Sequence, residues 1–82
     1  MAFDAARRQL LYFGGLLPSY LPSDQTWLWD GRAWRELFPA HRPSARHGHS
    51  MAFDSARGVI VLFGGDAGER DTWEWDGLDW TQ

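Results

Sequence analysis

The sequence predicts an all-β chain made of two copies of one four-stranded unit. Three observations lead to this prediction: a long segment occurs twice, the apolar runs are short, and no stretch keeps the 3.6-residue apolar spacing of an amphipathic helix. The 82 residues are enough for one small domain, and a hydrophobic content of 44% is typical of folded proteins.

The repeated unit has two fixed parts. Met1–Arg7 recurs with one substitution as Met51–Arg57, at an offset of 50 residues. Thr26–Gly31 recurs with one substitution as Thr72–Gly77, at an offset of 46 residues. A period near 50 residues with four short strands is a repeat unit rather than a chance similarity.

The change of offset falls in a segment that differs between the copies. Residues 16–25 of the first copy and 66–71 of the second differ in both length and sequence. Variable length between fixed segments is typical of a surface loop. We therefore divide the chain into a first repeat with its linker, residues 1–42, and a second repeat, residues 43–82.

The first and second strands of each unit are predicted from short apolar segments. The first lies around residues 49–53 and is cut short in the first copy, and the second covers Gln9–Phe13 or Val59–Phe63. The second strand is apolar without alternation, which is typical of a strand buried on both faces. We expect it to need a neighbour on each side. The turn between these strands has Gly58 in the second copy but Arg8 in the first.

The third strand of each unit alternates and is followed by a hairpin signal. It covers Thr26–Trp29 or Thr72–Trp75, where the two Trp residues share one face. An Asp-Gly pair then separates it from a short fourth strand that carries Trp34 or Trp80.

Composition excludes several classes of function. The net charge of −3 argues against binding to nucleic acid or to an anionic membrane surface, because both require a basic patch. No apolar run approaches the roughly 20 residues of a membrane span. The absence of Cys excludes disulfides, thiolate zinc sites and Cys nucleophiles.

The second copy carries several motifs at fixed spacing. The segment Arg46-His47-Gly48-His49-Ser50 precedes an apolar strand ending in Phe63-Gly64-Gly65, and Asp71–Asp76 with its Trp pair and then Trp80 follow. With its double glycine, later aromatic pair and spaced Trp, this copy resembles a kelch repeat. The first copy departs from it, because nothing precedes Met1 that corresponds to residues 43–50.

This resemblance implies a β-propeller in which four-stranded blades stack around an axis. Propellers have about 4–8 blades, so two blades leave two apolar faces open. We expect the blades to be completed by self-association, with a ring of three chains favoured, or by further repeats of a longer protein. Met1 aligns with the strand residue Met51, which favours the second alternative. The resemblance further implies a non-catalytic scaffold that needs no cofactor and binds itself, adjacent repeats, or a protein or peptide.

The non-repeated long segments are expected to lie together at one end of the sheets, where loops carry binding residues. The candidate binding residues there are Tyr20, Asp24, His41, Arg42, Asp66, Glu69 and Arg70. Their mixed charge suits a polar peptide or protein, and a merely solvated rim is an equal alternative.

The recurring aromatic and glycine residues are interpreted as blade packing. A stacking platform for sugars or bases is the alternative for the Trp residues, and a phosphate loop is the alternative for the glycines. The residues assigned to packing are Trp27, Trp29, Trp34, Trp73, Trp75, Trp80, Gly14, Gly15, Gly64 and Gly65.

Metal binding, copper-oxidase activity and carbohydrate binding are further hypotheses for this chain. His41, His47 and His49 could hold a metal, but local hydrogen bonding is the favoured role, so no metal site is assigned. Some kelch-like propellers are copper oxidases with a Cys–Tyr cofactor, which a chain without Cys cannot build. A carbohydrate-binding propeller, with Tyr20 and Phe38 as exposed aromatic candidates, and a piece of a kelch-like enzyme are the alternatives.

Overall fold

The computed structural model, which describes residues 1–82, contains eight strands in two antiparallel sheets and no helix. Sheet 1 has the order β1-β2-β3-β4 and sheet 2 the order β5-β6-β7-β8. The strands are β1 (Ala2–Asp4), β2 (Gln9–Phe13), β3 (Thr26–Trp29), β4 (Trp34–Leu37), β5 (Ser50–Asp54), β6 (Val59–Phe63), β7 (Thr72–Trp75) and β8 (Trp80–Thr81). The predicted all-β class is confirmed, and so are the bounds of the second and third strands in both repeats. No helix long and apolar enough to cross a membrane occurs in the chain.

The strand registers define which side chains share a face. In sheet 1, Ala2 lies opposite Leu11, and Leu11 lies opposite Leu28. In sheet 2, Ile60 lies between Phe53 and Trp75. We call these the inner faces of the two sheets. The inner face of sheet 1 carries Ala2, Asp4, Gln9, Leu11, Phe13, Thr26, Leu28 and Leu37, and that of sheet 2 carries Met51, Phe53, Ile60, Leu62, Trp73, Trp75 and Trp80.

The two inner faces pack against each other to form the core. Its eight buried apolar residues are divided equally between the sheets: Ala2, Leu11, Phe13 and Leu28 from sheet 1, and Ile60, Leu62, Trp75 and Trp80 from sheet 2. Leu11 and Ile60 are therefore completely buried within a single chain. The expectation that the second strands need a neighbour on each side is met on one side only, by the other sheet.

Specific ring contacts and hydrogen bonds join the two repeats. The Phe13 ring packs edge-on against the Trp80 indole, with ring centroids 5.5 Å apart. The Trp80 indole Nε1 donates a buried hydrogen bond of 3.1 Å to Thr26 Oγ1. At the margin, the Arg7 guanidinium donates to the carbonyl oxygens of Gly58, at 2.8 Å, and Asp76. Burial of apolar surface thus combines with directional bonds that fix how the sheets are aligned.

Arg46 attaches the linker between β4 and β5 to both sheets. Its side chain is 1% exposed and donates two hydrogen bonds to the Asp71 carboxylate, at 2.7 and 2.9 Å. Its backbone pairs with the loop between β2 and β3, because Gly15 N donates to Arg46 O and Arg46 N donates to Ser23 O. A Cβ on Gly14 would lie 2.5 Å from Arg46 O, so this approach requires glycine. The hydrogen-bonded Arg46 guanidinium holds the pKa of Asp71 well below its usual range.

Replacing Arg46 with Ala is expected to lower the free energy of unfolding by about 3 kcal/mol, because the Asp71 charge and the Gly64 carbonyl lose their partner. Arg42→Ala is the matched control, since Arg42 forms an exposed ion pair with Asp24 worth less than about 1 kcal/mol. Urea denaturation of both variants measures the difference. A loss at Arg46 no larger than the loss at Arg42 would contradict the role given to this residue.

The turn between β1 and β2 supplies a second test. Arg8 has φ 56° and Gly58, its counterpart, has φ 68°. Arg8→Gly is expected to raise the free energy of unfolding by about 0.5–1 kcal/mol, because a left-handed conformation strains a residue with a Cβ and the flexibility of Gly offsets part of the gain. The reciprocal change Gly58→Arg should lower it. Thermal unfolding of both variants measures the effect, and shifts in the same direction would refute the explanation.

Candidate functional site

Each sheet also has an outer face that no part of the chain covers. The outer face of sheet 1 is aromatic and that of sheet 2 is mixed. On sheet 1 it carries Met1, Phe3, Leu10, Tyr12, Trp27, Trp29, Trp34 and Glu36, and on sheet 2 it carries Ser50, Ala52, Asp54, Val59, Val61, Phe63, Thr72 and Glu74.

A pocket of about 330 Å³ opens on the outer face of sheet 1. Met1, Tyr12, Trp27 and Trp34 line it, and we call it the aromatic pocket. The Tyr12 and Trp34 rings meet edge to face with centroids 6.5 Å apart, and Trp29 supports Trp34 from the side at 5.6 Å. Three aromatic rings and the Met1 side chain therefore form its walls, which suits a flat apolar group.

The second repeat contains a site that corresponds to the aromatic pocket and is buried. The lining residues Met1, Tyr12, Trp27 and Trp34 correspond to Met51, Leu62, Trp73 and Trp80 of sheet 2. Those four belong to the core or pack on it, and Phe13 from sheet 1 lies against Trp80 there. Trp80 is 1% exposed, whereas Trp34 is 44% exposed. The aromatic pocket is thus the uncovered counterpart of a buried site.

The outer face of sheet 2 is, in turn, the counterpart of the inner face of sheet 1. Phe63 corresponds to Phe13, and their exposures are 52% and 1%. Thr72 corresponds to Thr26. Both outer faces therefore repeat a surface that is buried elsewhere in the same molecule.

One position breaks this correspondence. Leu28 on the inner face of sheet 1 is buried, and its counterpart on the outer face of sheet 2 is Glu74. The Glu74 carboxylate accepts a hydrogen bond from Arg57, which also pairs with Asp54 at 3.0 Å. The outer face of sheet 2 therefore carries an ion-paired polar margin beside its apolar centre.

The predicted loop residues form separate pairs rather than one cluster. Asp24 accepts from Arg42 at 3.1 Å, and Asp66 lies 3.1 Å from the His47 ring. Tyr20 is 82% exposed on its loop, with φ 64°. The contact between Asp24 and Arg42 satisfies both charges locally, and the two residues line a mostly polar cavity of about 280 Å³.

The remaining loop candidates lie apart from these pairs. His41 contacts Asp79 in the turn before β8 and lowers the pKa of that carboxyl by its hydrogen bond. Glu69 is partly buried against Gly65, with Oε1 unpartnered, and Arg70 is exposed. The exposed rings of Tyr20 and Phe38 lie on different loops.

The residues assigned to packing separate into two groups. Trp75 and Trp80 are buried in the core, and Trp73 packs on it while its Nε1 donates to Asp71 at 2.7 Å. The Trp residues of sheet 1 all lie on its outer face, and Trp34 is the most exposed of them. Packing within the chain thus accounts for three of the six.

The recurring Asp and Arg residues serve the turns. Asp4 Oδ1 accepts from two backbone N–H groups of its own turn, and Asp54 does the same in the second repeat. Arg7 and Arg57 complete these turns as ion pairs with the same carboxylates.

His49 packs edge-on against Phe13, and burial lowers the pKa of its imidazole.

Sequence reasoning missed the most informative residues, Tyr12, Phe63 and the Thr26–Thr72 pair. The repeat offset already identified Phe63 as the counterpart of Phe13. The sequence could not predict which face of its sheet each side chain occupies, because this follows only from the strand registers.

Comparisons of the chain with protein-family models, with curated proteins and with solved structures found no match.

Thr26 and Thr72, which occupy corresponding positions in the two repeats, give a direct test of the buried hydrogen bond. Thr26→Val is expected to lower the free energy of unfolding by about 1–2 kcal/mol, because the buried Trp80 indole N–H loses its acceptor. Thr72→Val, the same change on the outer face, should alter it by less than about 0.5 kcal/mol in dilute solution. Urea denaturation of the two variants makes the comparison, and equal losses would show that the indole bond does not matter.

Proposed function

We propose that this chain is a two-blade module of a kelch-like propeller and acts as a non-catalytic assembly scaffold. Its outer faces receive further blades, supplied either by other copies of the chain, with three chains and six blades favoured, or by adjoining repeats. The observation that carries this proposal is that both outer faces repeat surfaces buried between the two sheets.

The energetics of small domains support the same conclusion. A chain of this size buries only about 60–65% of its unfolded surface, so its apolar core gives a modest stability. Here the core consists of eight side chains, while Tyr12, Trp34 and Phe63 remain exposed. Covering them would add apolar burial of the kind that already joins the two sheets.

The scaffold role is supported by where the polar side chains are engaged. The recurring Asp residues cap turns, and Arg46 with Asp71 fixes the linker. The loops at the margins carry paired charges such as Asp24 with Arg42, which suit a polar protein or peptide surface. In this proposal the sheets supply rigidity and the loops supply recognition.

Covalent joining of copies tests the proposal. Three copies connected through repeats of residues 37–50, which run from the last residue of β4 to the first residue of β5, should unfold at a clearly higher urea concentration than the single chain. The physical reason is that each added junction buries one outer face of each neighbour. The single chain carrying the same added segment is the control. A three-copy chain no more stable than this control would refute the proposal.

A further inference from the structure

The aromatic pocket corresponds to a site on sheet 2 that is filled by a side chain of sheet 1. In sheet 2, the corresponding wall receives Phe13, which packs against Trp80 and is 1% exposed. The same chain displays a second Phe, Phe63, at the corresponding position of its other outer face. One molecule therefore carries both a pocket that no Phe fills and an exposed Phe that no pocket covers.

The polar contact beside this Phe has matching halves as well. Trp80 Nε1 donates to Thr26 Oγ1 across the covered junction. Its counterparts are the exposed Trp34 indole on one outer face and the exposed Thr72 hydroxyl on the other. Within the chain, neither the Trp34 indole N–H nor the Thr72 hydroxyl has a hydrogen-bond partner. The two groups would come together if the outer faces of two copies packed in the same alignment as the inner faces.

Arg7 and Arg57, at the edges of the two sheets, also occupy corresponding positions. Arg7, held by Asp4, reaches across the covered junction to the carbonyl oxygens of Gly58 and Asp76. Arg57, held by Asp54, lies at the same place on the outer face of sheet 2. Its counterpart acceptors on sheet 1 are the carbonyls of residues 8 and 30.

Glu74 distinguishes the open junction from the covered one. It stands where the first repeat has the buried Leu28, which lines a pocket together with Trp75 across the covered junction. Because Trp29 is the counterpart of Trp75, Glu74 would bring a carboxylate close to Trp29 of the other copy. The loss of one apolar contact, and the need to keep Glu74 paired with Arg57, make this junction weaker than the covered one. Association through it is therefore expected to depend on concentration.

Two copies can use these faces only head to tail. The outer face of sheet 1 carries the pocket but no counterpart of Phe13, so two such faces in contact would leave both pockets unfilled. Contact between unlike faces leaves one of each free at the ends, which is a heterologous arrangement that propagates until it closes.

We propose that the aromatic pocket is the docking site for a second copy of this chain, which places Phe63 against Trp34 in the pocket and aligns Thr72 with the Trp34 indole. This inference rests on the proposed scaffold function and names the partner of its open face.

A pair of variants that each block one face tests the docking. Phe63→Asp disables the outer face of sheet 2, and Trp34→Asp disables the aromatic pocket. Native mass spectrometry should find oligomers for the wild-type chain, monomers for each variant alone, and a dimer of one copy of each in an equimolar mixture. Phe38→Asp, which changes an exposed Phe outside both faces, is the matched control and should assemble like the wild-type chain.

Several results would overturn the proposal. They are a wild-type chain that stays monomeric, a blocked variant that still pairs with itself, and a mixture without the mixed dimer. If an Asp variant fails to fold by circular dichroism, Phe63→Leu replaces it and should weaken association at least about tenfold, as expected for a central aromatic contact. Phe38→Leu should leave association unchanged, and equal effects of the two Leu variants would also contradict the docking.

The three-copy chain separates this inference from the proposed function. If it gains stability while separate chains stay monomeric, the scaffold function stands and docking of a second copy is wrong. If it gains none, both are wrong.

Discussion

The contact between the inner faces of the two sheets is the interaction on which the rest of the structure depends. Neither sheet has a second apolar layer of its own, so each is stable only because the other covers one of its faces. Phe13 against Trp80 supplies the apolar centre of this contact, and the Thr26 hydroxyl fixes its alignment. Arg46 then holds the linker so that the two sheets keep this arrangement.

The same contact explains why the outer faces matter. A repeat whose two faces are complementary leaves one unsatisfied copy of each face at its ends, however many units the chain contains. In this molecule those copies are the aromatic pocket with Trp34 and the face with Phe63. The proposed function and the incomplete burial therefore have one physical origin. In the proposed docking, Glu74 lowers the strength of the junction without removing its apolar centre.

Much of the fold could be predicted from the sequence, because local signals agree there. The apolar run Val59–Phe63 and the alternation in Thr72–Trp75 gave the strand bounds that the structure has. The site could not be predicted in the same way. The variable loops directed attention to residues such as His41, whose partner Asp79 lies in a turn before β8. The faces of Phe13 and Phe63 depend on pairing between distant strands, which the chain order alone does not specify.

The central claim is that Phe63 has a buried partner site on another copy of the chain. Fluorine NMR tests it most directly, with fluorophenylalanine at position 63 and, in a second sample, at position 13 as the buried reference. The account expects the position 63 signal to move with rising concentration towards that of a buried ring, while the position 13 signal stays constant. A position 63 signal that stays at the value of a solvent-exposed ring, at every concentration, would contradict the account.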